Sequence, residues 1–254
     1  MNPFLNISHN LVINNDIQAL HTVPLANLLV IERNVNALHL AGISENANAI
    51  LMICDRFANN GIDVNIQDNN GNTILHHVCA YFIGNPPVTQ AILELLINNY
   101  GCRITEQNNQ GETPLHFAIS YYNEHAASFL IHSQVMAAID MGIHLRIEHL
   151  RIRNNEGDNA LLLCMRFLQT TDGLTERQVI RNIIIQLLAV MGPEEINILS
   201  EDEIPVTALD IANELDQNDL INADVRIRLL NEQARGVSPA TARRSPTAHL
   251  HRID

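Results

Sequence analysis

The chain has 254 residues, is 46% apolar but only 4% aromatic, and carries a formal net charge of −13 with no Trp and no Lys. An acidic body lacks the basic face that displaces phosphate counterions, which excludes nucleic acid as an expected partner. The core must be built from Ile, Leu, Val and Ala, and no apolar run approaches the roughly 20 residues of a membrane-spanning helix.

In chain order, the first stretch, MNPFLNISHNLVINND, has neither a basic start nor an apolar segment ending in small residues, so no secretory leader is expected. Residues 16–33, DIQALHTVPLANLLVIER, predict a helix pair split at Pro24, and residues 1–34 are expected to cap the domain with a polar outer face. AILMICDRFANNG, QAILELLINNYG, HAASFLIHS and RQVIRNIIIQLLAVMG each carry apolar residues at helical spacing. Insertions are expected at 84–90, opening on Gly84-Asn85-Pro86-Pro87, at 133–153 as an extra or extended helix around MAAIDMGIHL, and at 169–176. The acidic residues Glu194, Glu195, Glu201, Asp202 and Glu203 fall on the last expected hairpin. Residues 235–254 are basic, rich in Gly, Pro, Ser and Thr, lack apolar periodicity and read as a disordered tail.

Between the helices the chain repeats itself. Thr73-Ile74-Leu75-His76-His77-Val78 is echoed by Thr113-Pro114-Leu115-His116-Phe117-Ala118. Asn36-Ala37-Leu38-His39-Leu40-Ala41 precedes them, while Asn159-Ala160-Leu161 and Thr207-Ala208-Leu209 follow. NNGIDVNIQDNNG and NNYGCRITEQNNQG lead into the two clearest copies. Leu38, Leu75, Leu115, Leu161 and Leu209 are separated by 37, 40, 46 and 48 residues, so the period loosens toward the C-terminus. Gly61 and Gly101 are placed to end helices, and Gly71, Gly111 and Gly157 to turn a hairpin.

These motifs resemble the ankyrin repeat, with its T-P-L-H-x-A helix entrance and its G-A-D-V-N…D-x-x-G hairpin. The resemblance implies an all-α class: an ankyrin-repeat α-solenoid with short hairpin loops, about five helix pairs and irregular C-terminal repeats, spanning residues 35–234. Each pair would bury its apolar face only against the next.

Candidate chemistry is sparse. His39, His76 and His116 recur at the signature position and read as inter-repeat hydrogen bonders rather than bases or metal ligands. Cys54, Cys79, Cys102 and Cys164 include no CxxC pair, and Cys79, Cys102 and Cys164 read as small buried fillers. No Gly-rich phosphate loop, GxSxG or HExxH occurs, so no catalytic residue, metal site or cofactor is expected. The alternative is an enzyme using its repeats as a substrate clamp, with Cys164 facing His132, His144 or His149 in the 133–170 region.

The resemblance implies a protein partner held by hairpin tips and first-helix ends. Carried over copy by copy, the tips are Asn69, Asn70 and Asn72, then Asn109, Gln110 and Glu112, then Asn155, Glu156 and Asp158. The helix-end positions include Tyr81, Tyr121 and Arg166. Tyr81 and Tyr121 are expected side by side, as large anchors with polar tips.

All fifteen basic residues are Arg. Arg keeps the charge while removing the amine that accepts ubiquitin. Irregular, Asn-rich ankyrin chains resemble effectors that intracellular bacteria deliver into host cells, which implies a cytoplasmic protein released into the host cytosol to bind a host protein. An ordinary cytoplasmic ankyrin scaffold with no host role is the other non-enzymatic alternative.

Overall fold

The computed structural model describes residues 7–140, 148–192, 196, 207–216, 230 and 231; for 133–140, 148 and 213–216 it describes the backbone alone. The expected tail at 235–254 and the acidic residues Glu194, Glu195, Glu201, Asp202 and Glu203 lie outside the described residues. So do residues 1–6, 141–147 and most of 217–234.

Among the described residues there are twelve α-helices and no strand beyond an isolated bridge between Glu32 and Val35. The helices alternate between two rows. The inner row is α1 (Ile7–Ile13), α4 (Ala37–Ile43), α6 (Ile74–Tyr81), α8 (Pro114–Ser120), α10 (Ala160–Thr170) and α12 (Ala208–Asp216). The outer row is α2 (Ile17–Thr22) with α3 (Leu25–Leu29), then α5 (Ala47–Asn59), α7 (Pro86–Asn98), α9 (Glu124–Asp140) and α11 (Leu174–Val190). A single 3-10 turn spans Glu148–Leu150.

Each inner helix packs on the inner helix before and after it: α4 on α6, α6 on α8, α8 on α10 and α10 on α12. The core is therefore a continuous strip between repeats. Leu38, Leu75 and Leu161 are fully buried, Leu115 is 3% exposed, and each lies against a neighbouring unit. Gly42 is needed where α4 meets α6, because a Cβ there would stand 2.8 Å from His77 Cβ and 2.9 Å from Ile74 Cδ1.

Local chemistry starts the inner helices from α4 to α10 in the same way. Asn36, Thr73, Thr113 and Asn159 hold extended backbone at the N-cap. The N–H of Thr73 donates to His76 Nδ1 at 3.1 Å and that of Thr113 to His116 Nδ1 at 3.2 Å. Thr207 makes the equivalent bonds to Asp210 Oδ2 at 2.7 and 2.8 Å, so a carboxylate replaces the imidazole in the last described copy.

Four features differ from expectation. The chain begins its stack earlier, with α1: His9 lies one repeat before His39, and its Nε2 bonds to the Val35 carbonyl at 3.0 Å. The insertion expected at 84–90 is helical from Pro86 onward. Pro86 and Pro87 occupy the first turn of α7, where missing N–H groups cost nothing, and Asn85 caps it. The extra residues after 168 are absorbed by α10, which runs on to Thr170, leaving a three-residue link to α11. At the N-terminal helices, Ile7, Ile13, Leu29, Val30 and Ile31 are exposed, so their outer side is less polar than expected.

Candidate interaction groove

Hairpins project from the N-terminal ends of the inner helices. In each, one side chain organises the turn. Asp68 Oδ1 accepts from the N–H groups of Asn70 and Asn72, Asn108 Oδ1 from those of Gln110 and Glu112, and Asn154 Oδ1 from those of Glu156 and Asp158. The turn then needs a left-handed residue, supplied by Gly71 (φ +81°), Gly111 (φ +73°) and Gly157 (φ +81°). At Gly111 a Cβ would also stand 2.5 Å from Asn155 Oδ1 and 2.9 Å from Asn155 N, so successive hairpins press on one another.

The tips are joined by an asparagine ladder. The backbone N–H of Asn69 donates to the Asn34 carbonyl, that of Asn109 to Asn70 and that of Asn155 to Gln110, at 2.8–3.0 Å. The side-chain amide of Asn69 donates to Asn34 Oδ1 at 3.2 Å, that of Asn109 to the Asn69 carbonyl at 3.1 Å, and that of Asn155 to the Asn109 carbonyl at 3.0 Å.

The signature histidines tie units together from below. Because Nδ1 of His76 and His116 accepts a backbone N–H, Nε2 carries the proton; His76 donates it to the Glu112 carbonyl at 3.0 Å and His116 to the Asp158 carbonyl at 3.1 Å. His39 Nε2 reaches the Ile66 carbonyl at 3.0 Å. Burial pushes all three down to about 4, so they are neutral at physiological pH.

Between the tips and the helix ends runs a groove. Tyr81 and Tyr121 meet with ring centroids 5.6 Å apart, as adjacent repeats require. Phe117 continues the row at 5.7 Å from Tyr121, and His77 stacks beneath Tyr81 at 6.3 Å with ring planes 14° apart. Tyr121 is 40% exposed. A cavity of about 440 Å³ opens here among Arg33, Asn70, His77, Tyr81, Gln110 and Tyr121. Its floor holds a buried pair, His77 Nε2 to Asp68 Oδ2 at 3.0 Å. Burial raises the Asp68 carboxyl, but the bonds from His77, Asn72 and Asn70 outweigh it and the net direction is downward, so Asp68 stays ionised.

The residues singled out from sequence separate into two groups. Asn70, Tyr81, Gln110 and Tyr121 line this cavity beside the exposed tips Asn69 and Asn109; Glu112, Asn155 and Glu156 line the next one along the groove. Asn72 is 7% exposed yet still lines the first cavity, whereas Asp158 is fully buried within its hairpin. Arg166 Nε is 2.5 Å from Oδ2 of the fully buried Asp158, while 31% of the Arg166 side chain stays exposed. The register also corrects Arg166. Tyr81 and Tyr121 each lie eight residues after their N-caps, Thr73 and Thr113, and Phe167 lies eight after Asn159. Phe167 is thus the third aromatic of the series. The Asn159 cap was visible in the sequence, and counting from it would have found Phe167.

The Cys/His arrangement has the wrong environment for nucleophilic chemistry. Cys164 is fully buried and desolvation pushes its thiol well above the usual range, the reverse of what an activated thiolate needs. His149 is buried and held down at about 4. His144 lies outside the described residues. Cys54, Cys79 and Cys102 are likewise buried, with raised thiols. No group of three or more metal-ligating side chains occurs among the described residues.

Residues 89–131 match the family model described as ankyrin repeats (many copies). Solved structures agree over most of the chain. An ankyrin repeat domain from Acinetobacter baumannii AYE superposes with a TM-score of 0.60 at 20% identity, covering 89% of this chain and 96% of its own. The fold is an ankyrin-repeat solenoid. The ankyrin repeat domain of Bcl-3, a member of the IkappaB protein family, aligns with a TM-score of 0.57 at 16% identity, covering 92% of this chain and 87% of its own. No curated protein matches the sequence.

Proposed function

We propose that this chain is a non-enzymatic protein-binding scaffold that holds its partner along the concave ankyrin groove. The observation that carries the reading is the Tyr81–Tyr121 pair: two large side chains from adjacent repeats, half-buried and 40% exposed, set side by side at the groove floor under polar hairpin tips. Aromatic residues with polar ends give contact area at low entropic cost, which is why they anchor interfaces. Partner capture from host-cell lysate by the wild-type protein, by Tyr81→Ala and by Tyr121→Ala tests it. The reading expects captured proteins to be lost from both variants, and it fails if both retain every one.

The partner is a host protein, and the chain is a bacterial effector acting in virulence from the host cytosol. The absence of Lys supports this. Two arginines are held by geometry that Lys cannot reproduce: Arg56 forks onto the Leu20 and Val23 carbonyls, both at 2.6 Å, and Arg103 bridges Asp63 and Glu106 at 3.0 and 2.7 Å. Arg33 is exposed at a hairpin tip and has no such role among its described contacts. A structural demand for Arg thus leaves at least this position unexplained, while escape from ubiquitin transfer covers every position. Arg33→Lys, followed for half-life in host cells with and without a proteasome inhibitor, should shorten the lifetime. Equal lifetimes would favour an ordinary cytoplasmic scaffold.

A further inference from the structure

One repeat beyond the Tyr81–Tyr121 pair, a second cavity of about 360 Å³ is lined by Gln110, Glu112, Ser120, Glu156, Leu163 and Phe167. Gln110 lines both cavities, so they adjoin along one groove. The second is chemically one-sided. Leu163 and Phe167 supply an apolar floor from α10, while Glu112 and Glu156 supply carboxylates from two successive hairpins. Among the described residues no cation lines it. Arg166, next to Phe167 in the chain, is turned onto the buried Asp158 instead. Glu112 is braced by the Asn108 amide at 3.0 Å, which holds its carboxylate at the cavity wall.

We propose that this cavity receives an arginine or lysine side chain from an extended segment of the partner. The aliphatic stem lies over Phe167 and Leu163, and the charged head reaches Glu112 and Glu156. A cation over an aromatic face with carboxylates beyond it satisfies both halves of such a side chain. The chain's net charge of −13 adds long-range attraction for a basic segment. The neighbouring cavity then takes the flanking residues of the same segment, since extended chain advances about 3.3 Å per residue and roughly three residues span one repeat. The inference rests on the groove reading above and names the chemistry of its occupant.

A random dodecapeptide library displayed on phage, selected on the full chain, tests it. Enriched peptides are expected to share an Arg or Lys. Their affinity should fall about tenfold on Glu112→Gln with Glu156→Gln, a substitution pair that keeps an oxygen acceptor for Asn108, and should weaken as salt rises. Thermal midpoints of the variants confirm that they fold. Peptides lacking a basic residue, peptides indifferent to both Gln substitutions, or no enrichment at all would overturn the proposal. Binding lost in Tyr81→Ala and Tyr121→Ala but kept in the Gln pair would sink this inference alone. Binding kept in both Tyr variants would sink the groove reading itself.

Discussion

His116 Nε2 donates to the carbonyl of Asp158 at 3.1 Å, joining helix α8 to a hairpin 42 residues further along the chain. His76 makes the same bond to Glu112. These imidazoles are buried and neutral, and they act as bolts between repeats.

Acid should therefore loosen the stack. His39, His76 and His116 fall from an ordinary 6.5 to about 4 in the folded state. The unfolded chain binds protons first, so the stability is whole above pH 6.5 and is lost as pH falls toward 4. Each histidine contributes on the order of 3 kcal/mol across that window. Asp68, lowered below its ordinary 3.8, loses its contribution only in more acidic solution, so the two effects separate. Urea unfolding at a series of pH values checks this; a midpoint unchanged between pH 7 and 4.5 would contradict it.

Asn123 is a second bolt. Its side-chain amide donates to the Cys79 and Phe82 carbonyls at 2.9 and 3.0 Å, and its Oδ1 accepts from the Ala126 N–H at 3.1 Å. It is fully buried, so Asn123→Ala strands polar groups away from water. The expected cost is about 2–4 kcal/mol, read from denaturant unfolding. A loss below about 0.5 kcal/mol, the scale of a surface substitution, would show that other groups satisfy these carbonyls.

Leu115→Ala removes a side chain only 3% exposed and should cost about 2–5 kcal/mol. Because α8 leans on both α6 and α10, amide hydrogen exchange should accelerate in all three helices. Acceleration confined to α8 would mean that the repeats are independent.

Much of this was legible in the sequence, because the repeat imposes its own register. The N-caps, the turn glycines and the signature histidines occur where local chemistry demands them, and Leu75 and Leu115 follow as core. The asparagine ladder was not legible. Asn69, Asn109 and Asn155 look like exposed tips in one dimension, and only the stacking of hairpins shows that each amide donates to its neighbour. Asp158 was misleading for the same reason: a hairpin residue faces outward or inward according to a turn that the residue type does not specify. Helix α1 was missed because its stretch, Ile7-Ser8-His9, keeps only the histidine of the signature.

Arg56→Lys should separate structure from turnover. An ammonium cannot fork onto both the Leu20 and Val23 carbonyls, so the N-terminal helices should loosen by about 1–2 kcal/mol. Arg33→Lys, at an exposed hairpin tip, should leave the unfolding midpoint unchanged. Equal midpoints for the two variants would show that the Arg56 fork contributes nothing.

Site-specific photo-cross-linking in host-cell extract bears most directly on the groove. A photoreactive phenylalanine analogue replaces Tyr121, on the groove floor, or Leu174, which is 83% exposed at the start of α11. A covalent adduct with a partner protein from position 121 and none from 174 is the predicted result. Adducts from 174 with none from 121 would contradict the account.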